Sequence, residues 1–79
     1  MQMNKLNQNG LREGYWEIIL PNDDIIKANF KNGIANGKWA MFNKDGTRIY
    51  LAHFKNDVKT GLWVFYRHNE PFETNFYAK

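Results

Sequence analysis

The sequence contains neither cysteine nor serine, and proline occurs only twice in its 79 residues. Disulfides, zinc–thiolate sites and the two commonest side-chain nucleophiles are therefore excluded. Long apolar runs are missing as well, and the first ten residues, MQMNKLNQNG, lack the apolar centre of a signal peptide. We therefore expect neither a membrane span nor a secretory leader, and we expect a cytoplasmic location.

The remaining composition is that of a small folded domain. Hydrophobic residues make up 43% and charged residues 24%, a balance that is typical of globular rather than disordered chains. At this length we expect one domain over residues 1–79 with a single small core. The net charge of +3 is spread along the chain, so it does not by itself indicate a polyanionic ligand.

An eight-residue motif, Asn-(Gly/Asp)-x-x-x-Gly-x-Trp, occurs three times in the chain, at 9–16, 32–39 and 56–63. The copies begin 23 and then 24 residues apart, and a hydrophobic residue follows each tryptophan by three positions. Regular spacing of this kind indicates a protein built from structural repeats. The glycine and tryptophan of each copy, which we expect to be structural, are Gly14 and Trp16, Gly37 and Trp39, and Gly61 and Trp63.

Each unit is typical of a β-hairpin. Asp45-Gly46 lies between two apolar runs and predicts a two-residue turn. The first unit instead offers Pro21-Asn22-Asp23 as a three-residue turn, which would explain why that unit is one residue shorter. The pairs that these turns predict are Lys38–His53, Trp39–Ala52, Ala40–Leu51, Met41–Tyr50 and Phe42–Ile49 in the second unit, and Trp16–Ala28, Ile18–Ile26 and Ile19–Ile25 in the first.

The hairpins predict an all-β fold, a single antiparallel β-meander of five to six strands without a helix. The expected strands cover 15–20, 24–30, 38–42, 47–54, 62–66 and 71–77. The connections 31–37 and 55–61 carry residues that accept positive φ, where the chain must reverse. Residues 67–71 offer no clear turn pair, so either Thr74 or Phe76 is expected opposite Trp63.

The repeat resembles the MORN repeat, in particular the bacterial variant of the YwqK-like antitoxin family. The resemblance rests on the Gly-x-Trp spacing with a hydrophobic residue three positions later, and it covers Asn9 to about Tyr77. It implies a single layer of stacked hairpins that serves as a protein-interaction or scaffold module, and contact with phospholipid in other MORN proteins. The chain departs from the pattern in having about three units, Asp57 at a usual glycine position and no glycine in its first hairpin turn.

The predicted register makes both faces of the sheet apolar. One face carries the three tryptophans with Ala28, Phe30, Ala52 and Phe54, and the other carries mainly aliphatic and aromatic residues together with Glu17, Lys27, Lys38 and His53. An antiparallel sheet usually has one apolar and one polar face. Either the sheet curls so that its own side chains shield one face, or a second chain covers it. We expect a homodimer or an obligate protein partner.

The sequence gives little sign of catalysis. His53 and His68 lie far apart in the chain, and Asp23-Asp24 lacks the further oxygen ligands of a Ca²⁺ loop. Glu17 is the only acid in the middle of a predicted strand, and one carboxylate does not provide an acid–base pair. We therefore expect a non-enzyme without a cofactor or a metal site.

Two classes of binding function remain. The first is a protein-binding module whose partner is a toxin or a host factor, as in an antitoxin, an immunity protein or a phage-encoded inhibitor. Its candidate contacts are the aromatic residues Tyr15, Phe42 and Tyr66. The alternative is a module that binds anionic phospholipid or nucleic acid through the basic connection end, with Lys31, Lys55 and Lys59. The tryptophans could stack on bases, but too few cations accompany them, and core packing is the favoured interpretation.

Overall fold

The computed structural model describes residues 4–77, which form one open antiparallel sheet of eight strands. The strands are β1 (Lys5–Leu6), β2 (Arg12–Ile19), β3 (Ile25–Lys31), β4 (Ile34–Phe42), β5 (Arg48–Lys55), β6 (Val58–Lys59), β7 (Gly61–Arg67) and β8 (Glu70–Tyr77). Their order in the sheet is β1-β2-β3-β4-β5-β7-β8, and β6 pairs with β5. The antiparallel meander is confirmed, but two strands of two residues raise the number from the expected five or six to eight. Within 4–77 no helix is present that could cross a membrane.

The first hairpin has the predicted turn and register. The Leu20 amide donates to the Asp24 carbonyl at 2.8 Å, which leaves three residues in the turn, and Asp23 takes the left-handed conformation with φ 71°. Trp16 lies opposite Ala28, as expected, and the Ile18–Ile26 and Ile19–Ile25 pairs follow.

The second hairpin has the same three-residue turn, so the predicted two-residue turn at Asp45-Gly46 is wrong. The Asn43 amide donates to the Thr47 carbonyl at 2.9 Å, and Asn43 Oδ1 accepts from the Thr47 amide. Phe42 consequently faces Arg48 instead of the predicted Ile49, which bulges out of the ladder. The bulge restores the expected pairs from Met41–Tyr50 onward, and the extra residue of this unit is therefore in the strand rather than in the turn.

The third hairpin corrects the sequence analysis at two points. His68 and Asn69 both have positive φ, 54° and 66°, and form a two-residue turn between the paired Arg67 and Glu70. The register then shifts between Phe65 and Tyr66. Asn75 lies opposite Trp63, so neither of the two expected partners was correct.

The segments expected as long connections are tight hairpins followed directly by strand. Asn32-Gly33 and Asn56-Asp57 form two-residue turns with positive φ throughout. Asp57 replaces the glycine of the pattern at φ 66°, and its Oδ1 accepts from the Ala35 amide at 2.8 Å. The amide of Asp57 also donates to the Ala35 carbonyl at 2.9 Å, which ties this turn to the preceding unit.

The core of the sheet lies on the face that carries the tryptophans, here called the Trp face. The buried hydrophobic residues among those described are all on this face: Ala28, Phe30, Ala35, Ala52 and Trp63. Because residues 4–77 contain no second layer, burial must come from side chains lying over one another and from the curl of the sheet, whose Cα atoms extend 22 Å in their shortest direction. The sheet therefore shields one of its own faces.

Candidate binding surface

An aromatic ladder fills the Trp face. It runs across six strands in the order Trp16, Phe30, Trp39, Phe54, Trp63 and Tyr77. Successive ring centroids are 5.1–6.3 Å apart with interplanar angles of 63–80°, the edge-to-face arrangement that aromatic pairs prefer. Each ring presents its edge to the next, so the ladder forms a core and offers no row of free ring faces to stacking bases.

Cations cover both ends of the aromatic ladder. The Arg12 guanidinium lies 4.9 Å from the Trp16 ring centroid, and Lys59 Nζ lies 5.1 Å from that of Trp63. These two residues occupy the same position of the repeat motif, three residues after its asparagine, where the middle unit has the buried Ala35. At this motif position the chain thus has an apolar residue in the middle unit, where rings follow on both sides, and a cation in each outer unit, near the end of the row of rings.

The middle tryptophan differs from the other two in its indole N–H. Trp16 and Trp63 donate to the carbonyls of Lys5 and His53, each at 3.1 Å. The Trp39 indole N–H is buried and completes no hydrogen bond with the described residues. Burial raises the pKa of Tyr50, and Trp39 partly offsets that rise.

The opposite face, here called the second face, is apolar but open. Across its middle run the paired residues Glu17, Lys27, Ala40, Leu51, Val64 and Thr74, one from each of the six long strands. Its outer parts expose large hydrophobic side chains: Ile19 is 70%, Leu62 48% and Phe76 71% exposed. None of the elements described covers this face, so it is available to another molecule.

The three predicted aromatic contacts lie on the second face but do not form one cluster. Lys27 Nζ lies 5.1 Å from the Phe42 ring centroid and Arg48 Cζ lies 5.5 Å from that of Tyr66, both toward the hairpin turns. Tyr15 pairs with Asn29, four residues along β3 from the partner of Phe42, which corresponds to about 13 Å of strand.

Tyr15 has a partner within its own strand. Its hydroxyl donates to Glu17 Oε2 at 2.8 Å. Desolvation, then the hydrogen bond to Glu17 and its negative charge raise the pKa of Tyr15 to about 12. The Glu17 carboxylate that accepts from Tyr15 belongs to the residue that pairs with Lys27 across β2 and β3.

The three predicted lysines are divided between the two faces. Lys31 and Lys55 are exposed beside the two-residue turns at the connection end. Lys59 lies on the Trp face, where its ammonium group also stands 5.4 Å from the Tyr77 ring centroid. The sheet therefore does not gather the three into one basic patch.

Sequence reasoning missed a depression of about 400 Å³ in the centre of the second face. It is lined by the cross-strand pairs Lys38–His53 and Ala40–Leu51, and Trp39 and Ala52, whose side chains point to the other face, form its floor. His53 Nδ1 lies 3.3 Å from the Leu62 carbonyl, an acceptor, so the contact holds the proton on Nδ1 and turns Nε2 away from it. The predicted register already contained both pairs, and the small Ala40 was the available signal.

No group of three or more His, Cys, Asp or Glu side chains that could hold a metal ion occurs in the described part of the chain. Compared with models of protein families, with curated proteins and with solved structures, the chain gives no match. Function must therefore be argued from the second face itself.

Proposed function

We propose that this chain is a small non-catalytic module that binds a partner protein through its second face. The observation that carries the proposal is the contrast between a closed Trp face and an open second face in a single-layer sheet. Ile19 and Phe76 remain 70% and 71% exposed although both belong to regular strands. An uncovered apolar sheet face is uncommon on monomers and is typical of binding sites.

The specific form that we propose is an antitoxin-like, immunity-like or phage-encoded inhibitor that acts by direct contact with a toxin or a host factor. The resemblance to the MORN repeat of YwqK-like proteins supports it. The repeated glycines at Gly14, Gly37 and Gly61 all have positive φ, and the tryptophans that follow them are equivalent members of one ladder. Fold alone does not decide function, so the resemblance contributes less than the open face does.

A second copy of the chain could cover the same face, which is the homodimer expected from the sequence. Binding of phospholipid or nucleic acid through the connection end has weaker support, because Lys59 stacks on Trp63 and leaves Lys31 and Lys55 at that end. Retention of phospholipid or nucleic acid is one outcome of the capture experiment.

The test is affinity capture from the source cell or its host, at low and at moderate salt, with wild type and with folded Phe42→Ala and Tyr66→Ala variants. The matched control is Glu73→Ala, an exposed residue that pairs with Phe65 on the Trp face. We expect one protein to be retained by wild type and the control, at both salt concentrations, and to be lost with the second-face variants. Retention of nucleic acid or lipid alone, released by salt, or no effect of either variant contradicts the proposal.

A further inference from the structure

We propose that the second face recognises an acidic amphipathic segment of its partner, one of whose carboxylates occupies the depression between Lys38 and His53. The inference rests on the proposed function and specifies the chemistry of the partner. Charge complementarity, the position of the depression and the covered aromatic rings carry the argument.

The charge of the second face is predominantly positive. Lys27, Lys38 and Arg48 are exposed on its strands, and the acid paired among them is Glu17. The Glu17 carboxylate accepts from the Tyr15 hydroxyl, while the Lys27 ammonium lies over Phe42. The cations therefore remain available to acids on a partner.

The depression combines a cationic rim with an apolar floor. Lys38 and His53 are direct cross-strand neighbours, so their Cβ atoms are about 5 Å apart and both can reach one carboxylate. His53 Nδ1 donates to the Leu62 carbonyl, so Nε2 is the nitrogen that faces a ligand, and it donates to a carboxylate when the imidazole carries a proton on both nitrogens. Ala40 and Leu51 continue the depression along the strands and offer an apolar seat for the residues beside that carboxylate.

Other occupants fit these observations less well. A second copy packed face to face would bring the same cations against each other. An anionic membrane is usually recognised by four to eight clustered bases. Here Lys27, Lys38 and Arg48 are separated by apolar residues, and Lys31 and Lys55 lie apart from them at the connection end. Stacked bases need free aromatic faces, but Lys27 and Arg48 cover Phe42 and Tyr66, and Trp63 is 7% exposed in the ladder.

The experiment is an NMR titration of the ¹⁵N-labelled full chain with a helical peptide in which glutamates flank a stripe of leucines. Matched peptides carry glutamine or lysine in place of glutamate. We expect the glutamate peptide to bind at least about tenfold more tightly than the glutamine peptide, with the largest shifts at Lys38, Ala40, Leu51 and His53. Equal affinity of the two peptides, tighter binding of the lysine peptide or shifts confined to the Trp face or to β8 would overturn the inference.

Two variants locate the charge effect. Lys38→Glu should weaken the glutamate peptide by about tenfold or more, while Lys44→Glu, the same change at an exposed turn residue, should have little effect. The same titration is repeated with anionic phospholipid vesicles and with oligothymidine. If either of these, but not the glutamate peptide, changes the chemical shifts of the residues that line the depression, the inference is also overturned. If the peptides fail while the capture experiment still loses its protein on Phe42→Ala, the protein-binding function stands and only the acidic partner is wrong.

Discussion

The two faces of this sheet are built from the same strands and are both rich in hydrophobic residues, yet one is a core and the other is a surface. On the Trp face large rings lie opposite small residues, so the rings can tilt across their neighbours. Ala28 lies between Trp16 and Trp39, and Ala52 lies on the other side of Trp39. Within residues 4–77 the second face has no such alternation of aromatic and alanine along a row. Burial is therefore decided here by the order of side-chain sizes and by curvature, and not by hydrophobicity alone.

A bulge at Gly37 of β4 favours the curvature of the sheet. Residues 36–38 of β4 lie opposite the single residue Asn29. Gly37, in the middle of this bulge, has φ 112°, a value that glycine adopts readily and other residues rarely do. A Cβ at Gly37 would stand 3.3 Å from the Asn29 Cβ. Bulges bend a strand and increase its twist, so the bulge at Gly37 contributes to the curvature of the sheet.

The largest expected difference between the faces is in the cost of removing an aromatic ring. Trp63→Ala deletes a side chain that is 7% exposed and contacts the rings of Phe54 and Tyr77. We expect a loss of roughly 3–5 kcal/mol in the free energy of unfolding, measured by chemical denaturation. The matched change Phe76→Ala on the second face should cost about 0.5 kcal/mol or less. Similar losses for both variants would mean that the second face is also packed.

The next effect concerns added volume. Ala52→Phe on the Trp face should lower the free energy of unfolding by roughly 1–3 kcal/mol, because Ala52 is 2% exposed beneath the aromatic ladder. Ala40→Phe, the same substitution on the second face, points into the open depression and should cost much less. Thermal denaturation of the two variants makes the comparison. Equal melting temperatures would contradict the assignment of the two alanines to different environments.

A smaller effect is expected at the turn that joins successive units. Asp57→Ala removes the carboxylate that accepts from the Ala35 amide and should cost roughly 1–2 kcal/mol, measured by denaturation. Asp57→Asn keeps a side-chain oxygen acceptor and a residue that tolerates positive φ, and should restore most of the loss. If asparagine behaves like alanine at this position, the hydrogen bond is not what stabilises the turn.

The smallest expected effect is the loss of stability at alkaline pH that comes from the ionisation of Tyr15 on the second face. Because the pKa of Tyr15 is raised to about 12, the folded chain keeps a proton between pH 10 and 12 that the unfolded chain has released. The contribution to stability is thus complete below pH 10 and is lost as the pH rises through 12. Ultraviolet titration should show this tyrosine ionising late, and Glu17→Gln should lower its pKa part of the way, since desolvation remains. An unchanged titration in that variant would show that the Tyr15–Glu17 pair does not form.

The sequence predicts the fold and the central register because both depend on the repeat. The Trp39–Ala52 pair is predicted correctly although the predicted turn is wrong. The longer turn at 44–46 shifts the register by one residue, and the bulge at Ile49 shifts it back from Met41 onward. β8 had no such cancellation. Its turn uses positive φ at His68 and Asn69, a pair without the glycine of the usual two-residue turn, and its bulge then shifts the register.

The candidate site could be predicted only in part. The register placed Lys38 opposite His53 and Ala40 opposite Leu51, and these are the residues that line the depression. The depression itself depends on the side-chain directions around Ala40, and the position of Lys59 depends on which face a bulged strand presents. Neither follows from counting residues along a hairpin.

The most direct test of the account is the solvent accessibility of side chains on the two faces in solution. Paramagnetic relaxation by a soluble gadolinium chelate can be measured on the ¹³C-labelled protein, methyl and ring groups together. We predict strong relaxation at Ile19, Leu62 and Phe76 and weak relaxation at Phe30, Ala52 and Trp63. Equal protection of both sets would show that the second face is already covered, by a second copy or by a different fold, and would contradict a sheet that closes one face and leaves the other free to bind.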